Sequence, residues 1–229
     1  MSVRRIPASR RSATGVFATV KADVLIPYES TLEGDFLLAA DFDESITAIE
    51  AQPLRVPYRA ITGRRTAAVP DFLIHRFGQP HALCDIHPRE QIVADWTRMR
   101  PRYVAVRDHA VKHGLRYYIR TEKHIRIDSL PNLRFLHPFL RRHPDQRDVF
   151  ELCSHLSKKK LTIRELLERC ARDVERQSEL IPVIWNLIAR KLLVVNLDKR
   201  LTMEVDIWLP NLSQNQQLQL MPSQTVRRG

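Results

Sequence analysis

Apolar residues in the first half of the chain recur with two different spacings, and each spacing predicts its own kind of element. Residues 28–42 have the helical spacing and predict an amphipathic helix that begins at Glu29 or Ser30. Extended segments follow, with turn residues between them, and together they predict an antiparallel meander. The apolar positions of the helix are Leu32, Phe36, Leu37 and Ala40, and the predicted strands are 46–49, 54–61, 66–77 and 81–87.

A long helix and one more strand follow the meander. Residues 89–113 have helical character with an interruption at Pro101, and Gly114 follows as a C-cap would. Residues 115–120 predict a strand that returns to the sheet after the helix. A meander followed by a helix and a strand predicts an α/β domain, in which a mixed sheet is flanked by helices. Residues 121–138 are expected to be irregular.

The second half predicts a smaller domain with a different pattern. Three helical stretches precede two short strands that form a hairpin, and this order is typical of a winged helix-turn-helix. The helices are predicted at 148–156, 162–170 and 179–190, and the strands at 192–196 and 201–207. The chain then divides into a flexible basic arm at 1–19, an α/β domain at 20–142, a winged-helix-like domain at 143–210 and a Gln-rich disordered tail at 211–229.

Charge adds a partner to this outline. The net charge of +11 favours a polyanion, and nucleic acid is the first candidate because lysine and arginine release counterions when they neutralise phosphates. Hydrophobic residues make up 44% of the 229 residues, which excludes global disorder. The 3 cysteines have no zinc-site spacing and fit reduced thiols in a cytosolic protein. No apolar stretch is long enough to predict a transmembrane helix.

The candidate chemistry lies on two adjacent predicted strands. Asp71 opens one strand, and Asp85 and His87 share a face of the next because side chains at i and i+2 point the same way. Two carboxylates brought together repel each other unless a divalent cation lies between them, and such a cation also supports phosphodiester hydrolysis. So short a pattern also arises by chance. The short turn between the strands, the basic chain and Glu33 on the first helix favour a metal site.

Several runs between residues 20 and 138 carry a family resemblance. They are YESTLEGDFL at 28–37, DFD at 41–43, IEAQP at 49–53 and PDFL at 70–73. In their order and spacing they resemble the TnsA family, the endonuclease subunits of heteromeric transposases. The resemblance implies a restriction-endonuclease-like fold of the PD-(D/E)xK type, and it extends more loosely to a winged-helix second domain.

The resemblance assigns roles to four residues. Glu33 falls on the family's catalytic glutamate, Asp71 on the aspartate of its Pro-Asp motif, and Asp85 on the residue that begins the x-x-Lys motif. These three carboxylates are expected to hold Mg²⁺ or Mn²⁺. His87 is a departure, since it stands where the family has lysine. A neutral imidazole is a poorer partner for a phosphate than an ammonium, although it can orient water or act as a base.

The same resemblance implies a function and partners. The protein would be a bacterial, cytoplasmic endonuclease subunit that cuts double-stranded DNA at transposon ends, on the strand that a DDE-type transposase partner leaves intact. An AAA+ regulator ATPase would contact the pair. The alternative is a catalytically degenerate nuclease fold that bridges transposase and regulator on DNA, and His87 keeps that alternative open. A stand-alone repair or restriction nuclease is a third possibility.

A cluster of cations in the second domain is the candidate DNA contact. Lys158, Lys159, Lys160 and Arg164 lie between two predicted helices, where they would contact phosphates or form a solvated turn. The polar face of the last predicted helix is poor in base-reading side chains, so this domain is expected to serve protein contact more than sequence readout. That face offers Glu179, Asn186, Arg190 and Lys191.

Overall fold

The computed structural model describes residues 14–156 and 160–210, and the chain divides into two units, Met1–Leu130 and Pro131–Gly229. The predicted tail at 211–229 and most of the predicted arm lie outside the described residues. Within the predicted arm, Gly15–Phe17 forms a strand that pairs with Ile26–Tyr28. In the part of the chain that is described, no helix is long and apolar enough to cross a membrane.

The first unit is a mixed sheet with helices, as the sequence predicts. Its four-stranded sheet has the order β3-β6-β7-β8, in which β3, β6 and β7 are antiparallel neighbours and β8 runs parallel to β7. This arrangement is consistent with a restriction-endonuclease-like fold. The elements are β1 Gly15–Phe17, β2 Ile26–Tyr28, α1 Thr31–Asp41, β3 Ile46–Ala51, β4 Val56–Arg59, β5 Arg65–Ala68, β6 Phe72–Arg76, β7 Ala82–Ile86, α2 Arg89–Ala94, α3 Trp96–Lys112, β8 Arg116–Arg120 and α4 Glu122–Ile125.

The strands before β7 do not form the simple meander that their order predicts. β4 and β5 pair with each other in a separate two-stranded hairpin, and β3 pairs with β6. The predicted strand at 66–77 is split because Pro70 has no N–H to donate to a ladder. Gln52 adopts the left-handed conformation (φ 48°) where the chain leaves β3, and its N–H donates to the Asp71 carbonyl (2.8 Å) where the chain returns.

Strand β7 is the centre of the core, and all five of its residues are buried. Cys84 and Ile86 pack in the cluster that includes Leu37 of α1, whereas Leu83 packs with Val106 of α3. Side chains alternate along a strand, so Asp85 lies on the same face as Leu83 and points toward α3. The two helices, α1 and α3, therefore cover opposite faces of β7. The carboxylate of Asp85 is buried on the face that α3 covers.

Helix α3 does not break at Pro101, contrary to the sequence prediction. It continues to Lys112, and the break falls instead at Asp95, between α2 and α3. Proline removes one helical hydrogen bond, but a buried stripe on both sides of it holds this helix on the sheet. Gly114, with φ 69°, ends the helix in the left-handed conformation, as predicted. The buried stripe consists of Met99, Tyr103, Val106 and Ala110.

The second unit contains helices and a small antiparallel sheet. The sheet has the order β10-β11-β9, so the last strand lies between the other two. Helix α8 begins earlier than the predicted residue 179 because the Asp173 side chain caps it, accepting from the N–H of Arg176 (2.7 Å). The elements are α5 Leu130–Leu136, α6 Gln146–His155, β9 Leu161–Thr162, α7 Ile163–Cys170, α8 Val174–Ala189, β10 Val194–Val195 and β11 Asp206–Trp208.

The segment expected to be irregular, 121–138, contains α4, α5 and the start of a 3-10 turn at His137–Phe139. Its prolines lie in the first turns of α5 and of the 3-10 turn, positions that tolerate a missing N–H. Phe135 packs edge-on against Trp185 of α8 (5.0 Å between ring centroids), which ties this segment to the second unit. The observed division after Leu130 is for this reason earlier than the predicted boundary after residue 142.

Strands β10 and β11 are shorter than predicted because the segment between them bonds to a side chain rather than to itself. The Nδ2 amine of Asn132 donates to the carbonyls of Leu197 (2.6 Å) and Lys199 (2.8 Å), and its Oδ1 accepts from the N–H of Leu201 (3.2 Å). The buried side-chain amide of Asn132 thus fixes the turn at residues 197–201, so the strands on either side do not have to extend their pairing into it.

The left-handed glycine after α3 gives a test of the first unit. We expect Gly114→Ala to lower the free energy of unfolding by about 1 kcal/mol, because a Cβ strains the backbone at positive φ. Urea denaturation followed by circular dichroism measures the change. Lys112→Ala, at an exposed helical position, is the control and should change stability little. Equal effects of the two substitutions would contradict the assigned C-cap.

Candidate active site

Two aspartates on neighbouring strands meet at one end of the sheet. Phe72 of β6 faces Cys84 of β7, so Asp71, just before β6, lies beside Asp85. The Asp71 N–H donates to the Cys84 carbonyl (3.0 Å), and the Asp71 Oδ2 accepts from the N–H of Ile86 (2.6 Å). The sequence-predicted hairpin thus places the two carboxylates side by side, and backbone hydrogen bonds fix the first of them.

Asp71, Asp85 and His87 form a cluster of potential metal ligands. One donor atom from each lies within 4.8 Å of the others. His87 directly follows β7, and its N–H donates to the Arg120 carbonyl of β8 (3.0 Å), which continues the pairing of these two strands. Among the described residues this is the one such group of three or more His, Cys, Asp or Glu side chains.

Glu33 lies near this cluster, but its carboxylate is engaged within its own helix. Its Oε2 accepts from the Glu29 N–H (2.8 Å), and its Oε1 accepts from the Ser30 hydroxyl (2.9 Å). In return the Ser30 Oγ accepts from the N–H of Glu33 (3.2 Å), which makes Ser30 the N-cap of α1. The cluster of three therefore does not include Glu33, although its charge raises the pKa of Asp71.

Gln52 connects the start of α1 to the aspartate. Its side-chain amine donates to the Glu29 Oε1 (3.0 Å), while its backbone N–H donates to the Asp71 carbonyl (2.8 Å). Through these two bonds of Gln52, the chain that returns from β4 and β5 is held beside the helix that carries Glu33.

Asp85 has two partners that sequence reasoning missed. Its side chain is fully buried, and the guanidinium of Arg102 donates to both of its oxygens (2.7 and 2.8 Å). The Tyr117 hydroxyl donates to its Oδ2. Arg102 also donates to the Val69 carbonyl (2.9 Å), and its Nη1 lies 3.5 Å from the Nε2 of His87. The third carboxylate of the predicted site is thus already neutralised by an arginine.

A signal for Arg102 does exist in the sequence. It lies three residues after Met99 and next to Tyr103, within the buried stripe of α3. A charged side chain at such a position has to find a partner inside the protein. No comparable signal marks Tyr117, because its bond to Asp85 requires the parallel pairing of β7 and β8.

The site raises the pKa of Asp71 well above its ordinary 3.8. Burial is the largest cause, followed by the charges of Asp85 and Glu33, while the Ile86 N–H and Arg102 act in the opposite direction. Burial also raises the pKa of Glu33. The crowding of negative charge around Asp71 is the condition that a bound cation would relieve.

His87 behaves differently from the lysine that it replaces in the family pattern. Burial lowers its pKa below 6.5; Asp85 raises the value and Arg102 lowers it further. The imidazole is for this reason neutral near pH 7 and offers a nitrogen lone pair. It cannot supply the positive charge of a lysine, but it can ligate a metal or accept a proton.

Residues 43–122 match the family model described as TnsA-like endonuclease N terminal. Over these residues the chain is similar to the N-terminal domain of TnsA-like endonucleases. The resemblance seen in the sequence is confirmed, and the match supports a nuclease of a transposase system. It includes Asp71, Asp85, His87 and Arg102, whereas Glu33 lies before it. A comparison with curated proteins found no match to the chain.

The predicted DNA contacts lie outside the TnsA-like domain, and they are only partly described. Lys158 and Lys159 lie outside the described residues. The ammonium of Lys160 lies 4.2 Å from the centroid of the Trp208 ring, and the Nε of Arg164 pairs with Glu204 (2.6 Å). Both of these cations are exposed at the surface of the second unit.

The raised pKa of Asp71 makes the stability of the TnsA-like domain depend on pH. A carboxyl whose folded-state pKa is raised stabilises the fold below its unfolded pKa, and this stability is lost as pH rises through the folded pKa. We expect Asp71→Asn to remove this loss of stability at high pH, because the amide does not ionise. The substitution keeps an oxygen that accepts from the Ile86 N–H. The variant should melt roughly 2–6 °C above the wild type at pH 8 without metal.

Melting curves of both proteins in EDTA between about pH 4 and about pH 8 measure this difference. It should widen as pH rises, because only the wild type acquires the buried charge. A difference that stays constant across the range would show that Asp71 does not carry the effect. Glu50→Gln, at an exposed carboxylate that pairs with His75, is the control.

Proposed function

We propose that this chain is the transposon-end-cleaving endonuclease subunit of a heteromeric transposase, and that it hydrolyses DNA with a divalent metal. The single observation that carries the proposal is the cluster of Asp71, Asp85 and His87 within the TnsA-like domain. The strand that it cuts would be the one left intact by a DDE-type partner. A net charge of +11 supports a DNA substrate, and we place the protein in the bacterial cytoplasm.

The residues of the site fit a divalent cation. Carboxylate oxygens are the donors that Mg²⁺ prefers, and an imidazole nitrogen beside them also suits Mn²⁺. We propose that Asp71 and Asp85 hold the ion, with Glu33 reaching it from α1 and His87 beside it. When bound, such an ion lowers the pKa of a water molecule and neutralises charge on the scissile phosphate.

Each side chain contributes something specific to hydrolysis. Among the described residues, only the Ile86 N–H bonds to the Asp71 carboxylate, and it bonds to Oδ2, which leaves Oδ1 available as a ligand. The neutral His87 is suited to orient the attacking water or accept its proton. To bind the ion, the Glu33 carboxylate would have to give up its hydrogen bonds to the Glu29 N–H and the Ser30 hydroxyl. The bond from Gln52 to Glu29 would keep the start of α1 beside Asp71 during this exchange.

For the second unit we propose a winged-helix domain that contacts other proteins. The support is the order of its elements from α6 onward, which is one helix, one strand, two helices and two strands, with β11 between β9 and β10. Helix α8 would be the recognition helix, but its second half is buried and its exposed first half carries Glu175 and Glu179. Acidic side chains do not favour phosphates, so this helix fits the transposase or the AAA+ regulator better than a DNA groove.

Contact with DNA from the second unit is proposed for the cations just before α7 and in its first turn. Arg164 and Lys160 lie on its surface, and Lys158 and Lys159 adjoin them in sequence. Arg164 would exchange Glu204 for a phosphate, which costs little because exposed ion pairs are weak. Such contacts position DNA and do not read its sequence.

Cleavage of an element end by the reconstituted complex tests the proposal. The full chain and the proposed DDE-type transposase subunit are incubated with Mg²⁺ and a supercoiled plasmid that carries both element ends. We expect Asp71→Ala and Glu33→Ala to lose at least about a hundredfold in the rate of cutting the strand assigned to this subunit. Cutting of the other strand should persist.

The matched control is Glu50→Ala, which removes an exposed carboxylate of β3 outside the cluster. It should cut both strands at the wild-type rate. Unchanged cutting of both strands in the Asp71 and Glu33 variants would reject the nuclease assignment.

A substitution at His87 tests its proposed role. We expect His87→Lys to cut more slowly than the wild type, because the ammonium would lie close to Arg102 and could not accept a proton at neutral pH. His87→Ala should fall by roughly a hundredfold or more. The same plasmid assay measures both rates, and a gain of activity in His87→Lys would show that the histidine is a handicap.

The second candidate function is a bridge between transposase and regulator that does not cut DNA. The pairing of Asp85 with Arg102 favours it, because an arginine already occupies a predicted metal ligand. This candidate predicts that the transposase joins ends in the presence of Asp71→Ala as it does with the wild type. Deleting the chain would still abolish the reaction.

A further inference from the structure

The carboxylate of Asp85 has almost no capacity left for a metal ion. Each of its oxygens can accept about two hydrogen bonds. Its Oδ2 accepts from Arg102 Nη1 and from the Tyr117 hydroxyl, and its Oδ1 accepts from Arg102 Nη2. One acceptor position, on Oδ1, is left for any further ligand.

Arg102 also reaches a second donor of the cluster. Its Nη1 lies 3.5 Å from His87 Nε2, one of the two nitrogens with which this imidazole could bind a metal. The same guanidinium therefore contacts two of the three potential ligands. Only Asp71 has no hydrogen bond to it.

Charge makes this contact competitive. Asp85 is fully buried and the Arg102 side chain is 17% exposed, so each is the counter-ion that makes burial of the other tolerable. A divalent cation placed among Asp71, Asp85 and His87 would lie close to the guanidinium, and like charges at a few ångströms repel strongly in a partly desolvated site. A metal ion and the Arg102 guanidinium would thus compete for the same lone pairs, those of Asp85 and His87, and for the negative charge of Asp85.

We propose that Arg102 is a resident cation that competes with the metal for Asp85 and His87. Metal entry then requires the guanidinium to leave Asp85, at least in part, and the affinity of the free chain for the metal is set by this exchange. The inference rests on the proposed function in one respect, that the cluster binds a divalent cation. It assigns the competing charge to α3, a different element from any that carries an expected ligand.

Isothermal titration of the full chain with Mn²⁺ alone, without DNA or partner, tests the competition. We expect Arg102→Met, which keeps the length of the side chain and removes its charge, to bind Mn²⁺ on the order of tenfold more tightly than the wild type. Tyr117→Phe, which frees one acceptor position of Asp85, should gain roughly twofold to threefold. Arg107→Met is the matched control, since Arg107 lies exposed on the same helix and pairs only with Asp108.

Two further measurements show whether Mn²⁺ binds at this site. Asp71→Asn in either background should abolish the high-affinity isotherm. In EDTA, Arg102→Met should melt below the wild type because Asp85 loses its counter-ion, and saturating Mn²⁺ should narrow that gap. A role of Arg102 in packing alone would lower the melting temperature without changing the affinity for Mn²⁺.

Equal or weaker Mn²⁺ binding by Arg102→Met would overturn the proposal and would mean that Arg102 organises Asp85 for the metal. If Arg102→Met does not fold, Arg102→Lys and Tyr117→Phe decide, and a lack of gain in both has the same meaning. Absence of Mn²⁺ binding in every variant also overturns it. These titrations are independent of strand cutting, so failure of the nuclease proposal in the plasmid assay leaves their outcome distinguishable.

Discussion

A carboxylate that is removed from water must be neutralised or protonated. In the first unit that carboxylate is Asp85, and several elements are held in place by the bonds that neutralise it. It lies at the end of β7, enclosed by the helices on both faces of the sheet. Arg102 from α3 and Tyr117 from β8 bond to it, and Arg102 also bonds to the carbonyl of Val69. Strands β7 and β8, the long helix α3 and the segment before β6 are thereby held together at one buried charge.

The same charge determines the chemistry of the site. Asp85 raises the pKa of Asp71, and Arg102 moderates that effect. Arg102 and burial together keep His87 neutral. The cluster is therefore an arrangement of two carboxylates, one neutral imidazole and one internal cation. The positive charge of this cluster comes from Arg102 on α3, a helix that follows β7 in the sequence.

The rest of the site depends on where the chain leaves the sheet and returns to it. The left-handed Gln52 ends β3, the hairpin of β4 and β5 follows, and the chain re-enters beside Gln52 at Asp71. The Gln52 amide also bonds to Glu29, so the start of α1 and its Glu33 are set beside the same point. A second unit of helices and a small antiparallel sheet follows.

The sequence by itself determined what local spacing can determine. Asp71, Asp85 and His87 come together because they lie on consecutive strands joined by a short turn, and the period of two fixes a shared face for the last two residues. Ser30 and Gly114 were recognisable as the ends of helices for the same local reason. Only the tertiary structure decided the excursion of β4 and β5, the continuation of α3 through Pro101 and the pairing of Asp85 with Arg102 and Tyr117. Each of these depends on packing between segments distant in sequence, where burial and charge neutralisation outweigh the preferences of neighbouring residues.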